Sequence, residues 1–242
     1  MNGFHLRSLP AGLLLIVLSG LIYPATAQST NFGITGGMNI SSHLNAFRYV
    51  NGDIRLNLDP KITTGYYGGM ILRQNISKAF RLQMEPSLTL LGAKYEEPFM
   101  LRGSELQTDS RTKLLYIQLP LVLQLSTVPP QRVVYGRDTP KTTYHLTGGV
   151  FAGYLLDARF KGQNTGAPIG ISFEGEFSND ITSQYAEYDG GVVFGMGVEH
   201  GLRRKIGLEA RAQYSVWDSG NAEELAFYPH NMAVTVALYF IL

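Results

Sequence analysis

The sequence predicts an all-β fold: an eight-stranded antiparallel up-and-down transmembrane β-barrel preceded by an N-terminal signal peptide. Three observations predict it. The chain opens with an export signal, its most apolar later run has the period of a strand, and eight such runs are joined by connections of uneven length. The run is Thr112 to Ser126, TKLLYIQLPLVLQLS. It is short for a helix, which needs roughly 20 apolar residues to cross a bilayer, and ample for a tilted strand, which needs about 9 to 11. Leu115, Ile117, Leu119, Leu121, Leu123 and Leu125 share one face, with Tyr116, Gln118, Gln124 and Ser126 on the other.

The export signal comes first. Arg7 precedes an apolar core from Ala11 to Ile22, and Ala25-Thr26-Ala27 supplies a small-residue cleavage site. That core is shorter than a membrane span, and no cysteine follows it for lipid attachment. The expected division is therefore a cleaved signal peptide over 1–27 and a single barrel domain over 28–242.

Without Arg7 the exported chain carries 19 basic and 19 acidic residues. Such a balance gives no reason to expect a nucleic-acid partner. With no cysteine, disulfide stapling and thiolate metal sites are excluded. No motif calls for a cofactor.

The first strand is expected over Asn31–Leu44, with Phe32, Ile34, Met38 and Ile40 on one face against small and polar residues on the other. A polar connection over 45–60 leads to Lys61–Ile76, where Tyr66, Met70, Leu72 and Ile76 are in phase and Gly69 and Arg73 oppose them. Ser77, Lys78 and Ala79 make a tight hairpin into Phe80–Glu97, the clearest alternation of oil against charge. After a polar stretch over 98–111 comes the run already described, and then a connection over 127–142 with Pro129, Pro130 and Pro140.

The fifth strand, Tyr144–Phe160, sets Tyr144, Leu146, Val150, Ala152, Tyr154, Leu156 and Phe160 against His145, Thr147, Gly149, Gly153, Asp157 and Arg159. An irregular acidic loop over 163–187 follows, containing Glu174, Glu176, Asp180 and Glu187. The sixth strand, Tyr188–Leu202, turns through Arg203-Arg204-Lys205 into the seventh, Ile206–Trp217. Asp218–Pro229 connects to the eighth, Asn231–Leu242. Long loops alternating with tight turns are the rhythm of an outer-membrane barrel, with both termini periplasmic. The long periplasmic connection 127–142 is the exception, and either unrecognised structure within it or a docking role would explain it.

The polar faces decide what the apolar faces meet. A closed barrel of eight strands has an interior that side chains nearly fill. Arg81, Glu85, Glu209 and Arg211 lie on those faces, and buried ions must be paired. A structural lumenal network among these four is expected under a lipid-facing exterior. The competing reading is a soluble sandwich with a solvated charged face. Pro86 and Pro120 delete ladder donors, so local bulges are expected there.

Four segments resemble the PorT-like family of bacterial outer-membrane β-barrel proteins: LLYIQLPLVLQL (114–125), YHLTGGVFAGYLLDARF (144–160), YDGGVVFGMGVEHGL (188–202) and LEARAQYSVWD (208–218). The pattern from Tyr116 to Leu123 and the DGGVVFGMGVE segment carry most of the likeness. The resemblance implies an integral outer-membrane barrel surrounded by outer-membrane lipid, in some members tied to protein export and hence to secretion-machinery subunits. Leu242 departs from the aromatic residue that often ends such chains, although Tyr239 and Phe240 lie nearby.

Enzymatic chemistry has little support. His43 at the outer rim, with Asp109-Ser110 or Asp218-Ser219, would form a Ser/His/Asp group of a rim-located lipid A hydrolase or acyltransferase. No nucleophile motif accompanies it, so a non-enzymatic structural or interaction role is expected. His145, His200 and His230 read as girdle residues, and no metal-ligand spacing recurs. Tyr66, Tyr67, Tyr95, Tyr144, Tyr214, Trp217, Tyr228 and Tyr239 are candidates for the aromatic girdles. The acidic loop could bind cations or a basic partner, or simply be solvated. Eight strands leave no wide pore.

Overall fold

The structure, a computed structural model, describes residues 30–45, 47–51, 54–101, 104–130, 133–135, 137–166, 173–219 and 229–242; the expected signal segment lies outside them. In chain order the strands are β1 (Thr30–His43), β2 (Phe47–Asn51), β3 (Ile54–Leu58), β4 (Thr63–Asn75), β5 (Phe80–Met84), β6 (Ser87–Leu101), β7 (Ser104–Ser126), β8 (Val133–Val134), β9 (Arg137–Asp138), β10 (Lys141–Gly166), β11 (Phe173–Asp180), β12 (Tyr188–Gly201), β13 (Lys205–Ser215) and β14 (Asn231–Ile241).

The antiparallel ladder closes on itself. From β1 it passes through β4, the end-to-end pair β5 and β6, then β7, β10, β12 and β13 to β14, which pairs back along β1 from Gly33↔Ile241 to His43↔Asn231. Among the described residues, with β5 and β6 taken as one interrupted strand, eight segments pair around the ring. Closure removes the free edges that an open sheet would present to other chains.

Alternation sorts the side chains as the sequence indicates, with oil outward. On β7 Leu121, Leu123 and Leu125 are exposed, whereas Tyr116, Gln118, Val122 and Gln124 are buried. On β1 Ile34 and Met38 are exposed and Asn39 and Ser41 buried. A soluble sandwich would show the reverse. Among the described residues no helix is long and apolar enough to cross a membrane.

Two prolines converge on one gap in the ladder. The peptide nitrogen of Glu85 donates to the Pro120 carbonyl, and that of Met70 to the Pro86 carbonyl, each at 3.0 Å. No register shift occurs: Met84↔Leu121 and Ser87↔Gln118 keep equal spacing on both strands. The bulges expected at Pro86 and Pro120 are thus absent, because both missing donors fall where β5 gives way to β6. The break in strand regularity absorbs them.

The bulge lies instead at Leu156, between the pairs Leu155↔Tyr116 and Asp157↔Leu115. One extra residue reverses the alternation beyond it. Asp157 and Arg159, expected on the lumenal face, therefore lie outside and pair with each other at 3.0 Å, while Ala158 turns inward. Phe160, expected to face outward, packs on the inner apolar cluster.

Several expected loops are structured. Beyond the rim at the end opposite the termini, β6 and β7 run on as a ribbon to Leu101↔Ser104, flanked by the ends of β10 and β11. The stretch 98–111, read as a polar loop, is therefore mostly strand. The connection 45–60 contains the β2–β3 hairpin, and 127–142 contains the short β8–β9 hairpin. In 163–187, read as irregular, β11 pairs with β10 and a 3-10 turn at Thr182–Gln184 follows. That turn folds back into the barrel: Ile181 donates to the Ala158 carbonyl at 3.0 Å, and Ile181 and Tyr185 join Leu91, Leu114, Tyr116, Leu155 and Ala233 in an apolar plug.

Candidate functional site

The lumen below the plug is filled with polar side chains in layers. Nearest the plug, Asp189 accepts from Ser215 Oγ at 2.8 Å and from Asn231 Nδ2 at 3.1 Å, and Asn231 Nδ2 also donates to Ser219 Oγ at 2.9 Å. These are strand-end residues whose alternation turns them inward. The buried His43 ring sits here, its Nδ1 2.8 Å from the Tyr95 hydroxyl and its centre 6.2 Å from that of the tilted Tyr185 ring.

In the middle layer Arg211 bonds both oxygens of Glu85 and reaches Glu209 at 2.8 Å. Tyr67 OH donates to Glu85 at 2.6 Å and Thr147 Oγ1 to Glu209 at 2.7 Å. His145 Nε2 lies 3.6 Å from Glu209. A carboxylate removed from water needs this density of donors, because desolvation otherwise outweighs the ion-pair attraction.

The layer nearest the termini is built on Glu199. Arg73 bonds one carboxylate oxygen, and the other accepts from Arg81 at 3.0 Å and Lys205 at 2.8 Å. Tyr239 OH adds a bond at 3.2 Å, and the Arg73 guanidinium lies 5.3 Å from the Tyr239 ring centre. Gln83 joins the two charged layers: it accepts from Arg73 Nε at 2.5 Å and donates to Glu85.

Of the four charges expected to form one network, Glu85, Glu209 and Arg211 lie together, and Arg81 reaches Glu199 instead. Sequence reasoning missed Glu199, Lys205, Gln83 and Tyr67. Glu199 could have been found, since it shares a strand phase with Gly197 and Asp189. Lys205 was read as part of a turn.

The girdle candidates divide between the outer wall and the lumen. Tyr66, Tyr144, Tyr214 and Trp217 are exposed on the outer wall. Tyr67, Tyr95 and Tyr239 are buried within the barrel, so they are not girdle residues; one-residue offsets in β4, β6 and β14 decide the difference. Tyr228 lies outside the described residues. His145 is likewise interior, whereas His200 is on the surface with Thr142 Oγ1 at 2.9 Å, and His230 stacks on Tyr214.

The residues considered for a hydrolase have other partners. Asp109 pairs with Lys94 at 3.0 Å, and Ser110 is buried. Asn231 occupies the Ser219 hydroxyl. In the segment read as an acidic loop, Asp180 accepts from the Thr182 peptide nitrogen at 2.9 Å and hydroxyl at 2.7 Å, which holds its carboxyl below the usual range. The Glu174 side chain lies outside the described residues.

At the termini end the lumen opens into a mouth of about 510 Å³, lined in part by Lys78, Arg81, Lys141, Glu199 and Lys205. On the outer wall beside it is an apolar groove of about 570 Å³.

The Yersinia pestis attachment invasion locus protein Ail, solved with the heparin analogue sucrose octasulfate, is 13% identical over 88% of this chain and 99% of its own, with a TM-score of 0.33. The Pseudomonas aeruginosa outer membrane protein OprG is 9% identical over 89% of this chain and 97% of its own, with a TM-score of 0.43. A search of curated protein sequences finds no match. Residues 26–220 match the family described as outer membrane protein beta-barrel domain, and the chain belongs to that family.

Proposed function

We propose that this outer-membrane β-barrel serves a structural or interaction role and is not an enzyme. The observation that carries the reading is the filled lumen. An apolar plug and two ion-paired layers occupy the interior that a channel or a substrate cleft would need. His43, at the outer rim, is buried between Tyr95 and Tyr185 rather than presented to a lipid. What the fold does present is the outer ribbon of β6, β7, β10 and β11. Replacing His43 by Ala and analysing lipid A tests the reading: an unchanged lipid profile is expected, and a lost modification would overturn it.

A second reading, a PorT-like component of a secretion assembly, is favoured by the β8–β9 hairpin. With both termini periplasmic, this hairpin faces the periplasm, and it exposes Val133, Val134 and the whole of Tyr135. Apolar side chains held out at a turn are suited to a protein partner. A tagged copy extracted gently from outer membranes should then retain secretion subunits that Tyr135→Asp releases. Recovery as a lone barrel in both cases would remove the secretion reading.

A further inference from the structure

We propose that the termini-side mouth and the adjoining outer groove together bind an anionic glycerophospholipid of the periplasmic leaflet, phosphate in the mouth and acyl chain in the groove. The inference rests on the orientation used above, with the termini end periplasmic.

The charge of the mouth is the first observation. Four basic side chains line it, Lys78, Arg81, Lys141 and Lys205, against the single carboxylate of Glu199. That carboxylate is already shared by Arg73, Arg81 and Lys205. Among the described residues no carboxylate lies within ion-pair distance of Lys78 or Lys141. The Arg203-Arg204 turn sits beside them and is exposed. An excess of cations with low-dielectric walls concentrates anions.

The groove is the second observation. It lies on the lipid-facing wall, where Ala210 is the cross-strand neighbour of Met196 on one side and Val236 on the other. A methyl between two longer side chains leaves a dent, and Leu125, Tyr144 and Leu208 extend its walls. Its volume is within the roughly 300–1,000 Å³ of ligand clefts.

Continuity is the third. Thr127 borders both the groove and the mouth, and next to it Val128, Pro129 and Pro130 add apolar lining to the mouth. A free anion would use only the mouth, and a neutral acyl chain only the groove. A ligand with a negative head on an apolar chain uses both, and the periplasmic leaflet presents such molecules at this depth.

Native mass spectrometry of the full barrel in detergent tests the proposal, with phosphatidylglycerol and phosphatidylcholine of matched acyl chains and with inorganic phosphate as competitor. Phosphatidylglycerol should be retained at about tenfold lower concentration than phosphatidylcholine. Lys78→Glu with Lys141→Glu should abolish that preference, and Ala210→Trp should weaken retention of both lipids. The shift in gel mobility on heating reports that each variant is folded. Equal retention of the two lipids by the wild type would overturn the proposal, as would a preference that survives the charge reversals. Full displacement by phosphate with no effect of Ala210→Trp would assign the mouth to a free anion instead. Orientation is read separately: the chain has no cysteine, so Arg203→Cys is a unique label site. Its modification by an impermeant maleimide on intact cells would overturn the leaflet assignment, even with the lipid preference intact.

Discussion

Arg211 on β13 grips Glu85, 126 residues earlier in the chain, through both terminal nitrogens across the interior of the barrel. The same guanidinium holds Glu209 on its own strand. One cation thus serves two buried carboxylates from opposite walls, which makes it the cross-brace of the middle layer.

Arg211→Met should therefore be among the most damaging lumenal substitutions. It leaves Glu85 and Glu209 buried without their shared cation, and breaking such a pair costs about 3–5 kcal/mol. Urea titration of the folded barrel in vesicles measures the loss. Adding Glu85→Gln and Glu209→Gln to the same chain should recover most of it, because the orphaned charges are then gone.

The lumen also depends on a missing side chain. A Cβ at Gly207 would lie 2.1 Å from Cζ of Tyr239, whereas one at Gly148 would meet nothing nearer than 3.7 Å. Gly207→Ala should push the Tyr239 ring off Arg73 and Glu199 and destabilise the barrel by about 1–3 kcal/mol, as overpacking does. Gly148→Ala should fall within about 0.5 kcal/mol of wild type. Equal effects in the same urea titration would contradict the packing described.

Lipid contact predicts a dependence on depth. Leu121 faces outward at mid-strand, paired with Val150, while Ile34 lies near the termini end opposite Phe240. Leu121→Arg should cost about 2–4 kcal/mol and Ile34→Arg about 0–1 kcal/mol in a bilayer. In a water-soluble fold neither ranking nor size would follow, so assembly yields into vesicles decide the matter.

The outer ribbon carries a pH signature. Lys61 at 2.6 Å and Lys94 hold the Glu96 carboxyl down to about 2, and Lys94 also meets Asp109 at 3.0 Å. A carboxyl whose folded pKa is depressed adds stability above its unfolded value, and that stability goes as pH falls through the folded one. Hydrogen exchange in 94–111 should therefore be unchanged from neutrality to about pH 4 and loosen only on approach to pH 2. Glu96→Gln should show the loosened pattern throughout.

The sequence by itself determined the class of fold and the direction of the apolar faces. Each follows from a period of two along Phe80–Met84, Thr112–Ser126 and Asn231–Leu242, a property of the strand that needs no partner. The same local rule misled beyond Leu156, because one extra residue inverts the alternation and nothing in the residue types marks it. Nearness to strand ends suggested the wall for Tyr67, Tyr95 and Tyr239, whereas the period of two turns all three into the lumen. The tertiary structure alone decided which charges meet. Arg81 and Glu199 are 118 residues apart, and whether Arg81 finds Glu199 or Glu85 depends on the stagger of the strands around the closed ring. That stagger is a property of closure, summed over eight ladders, and no single strand records it.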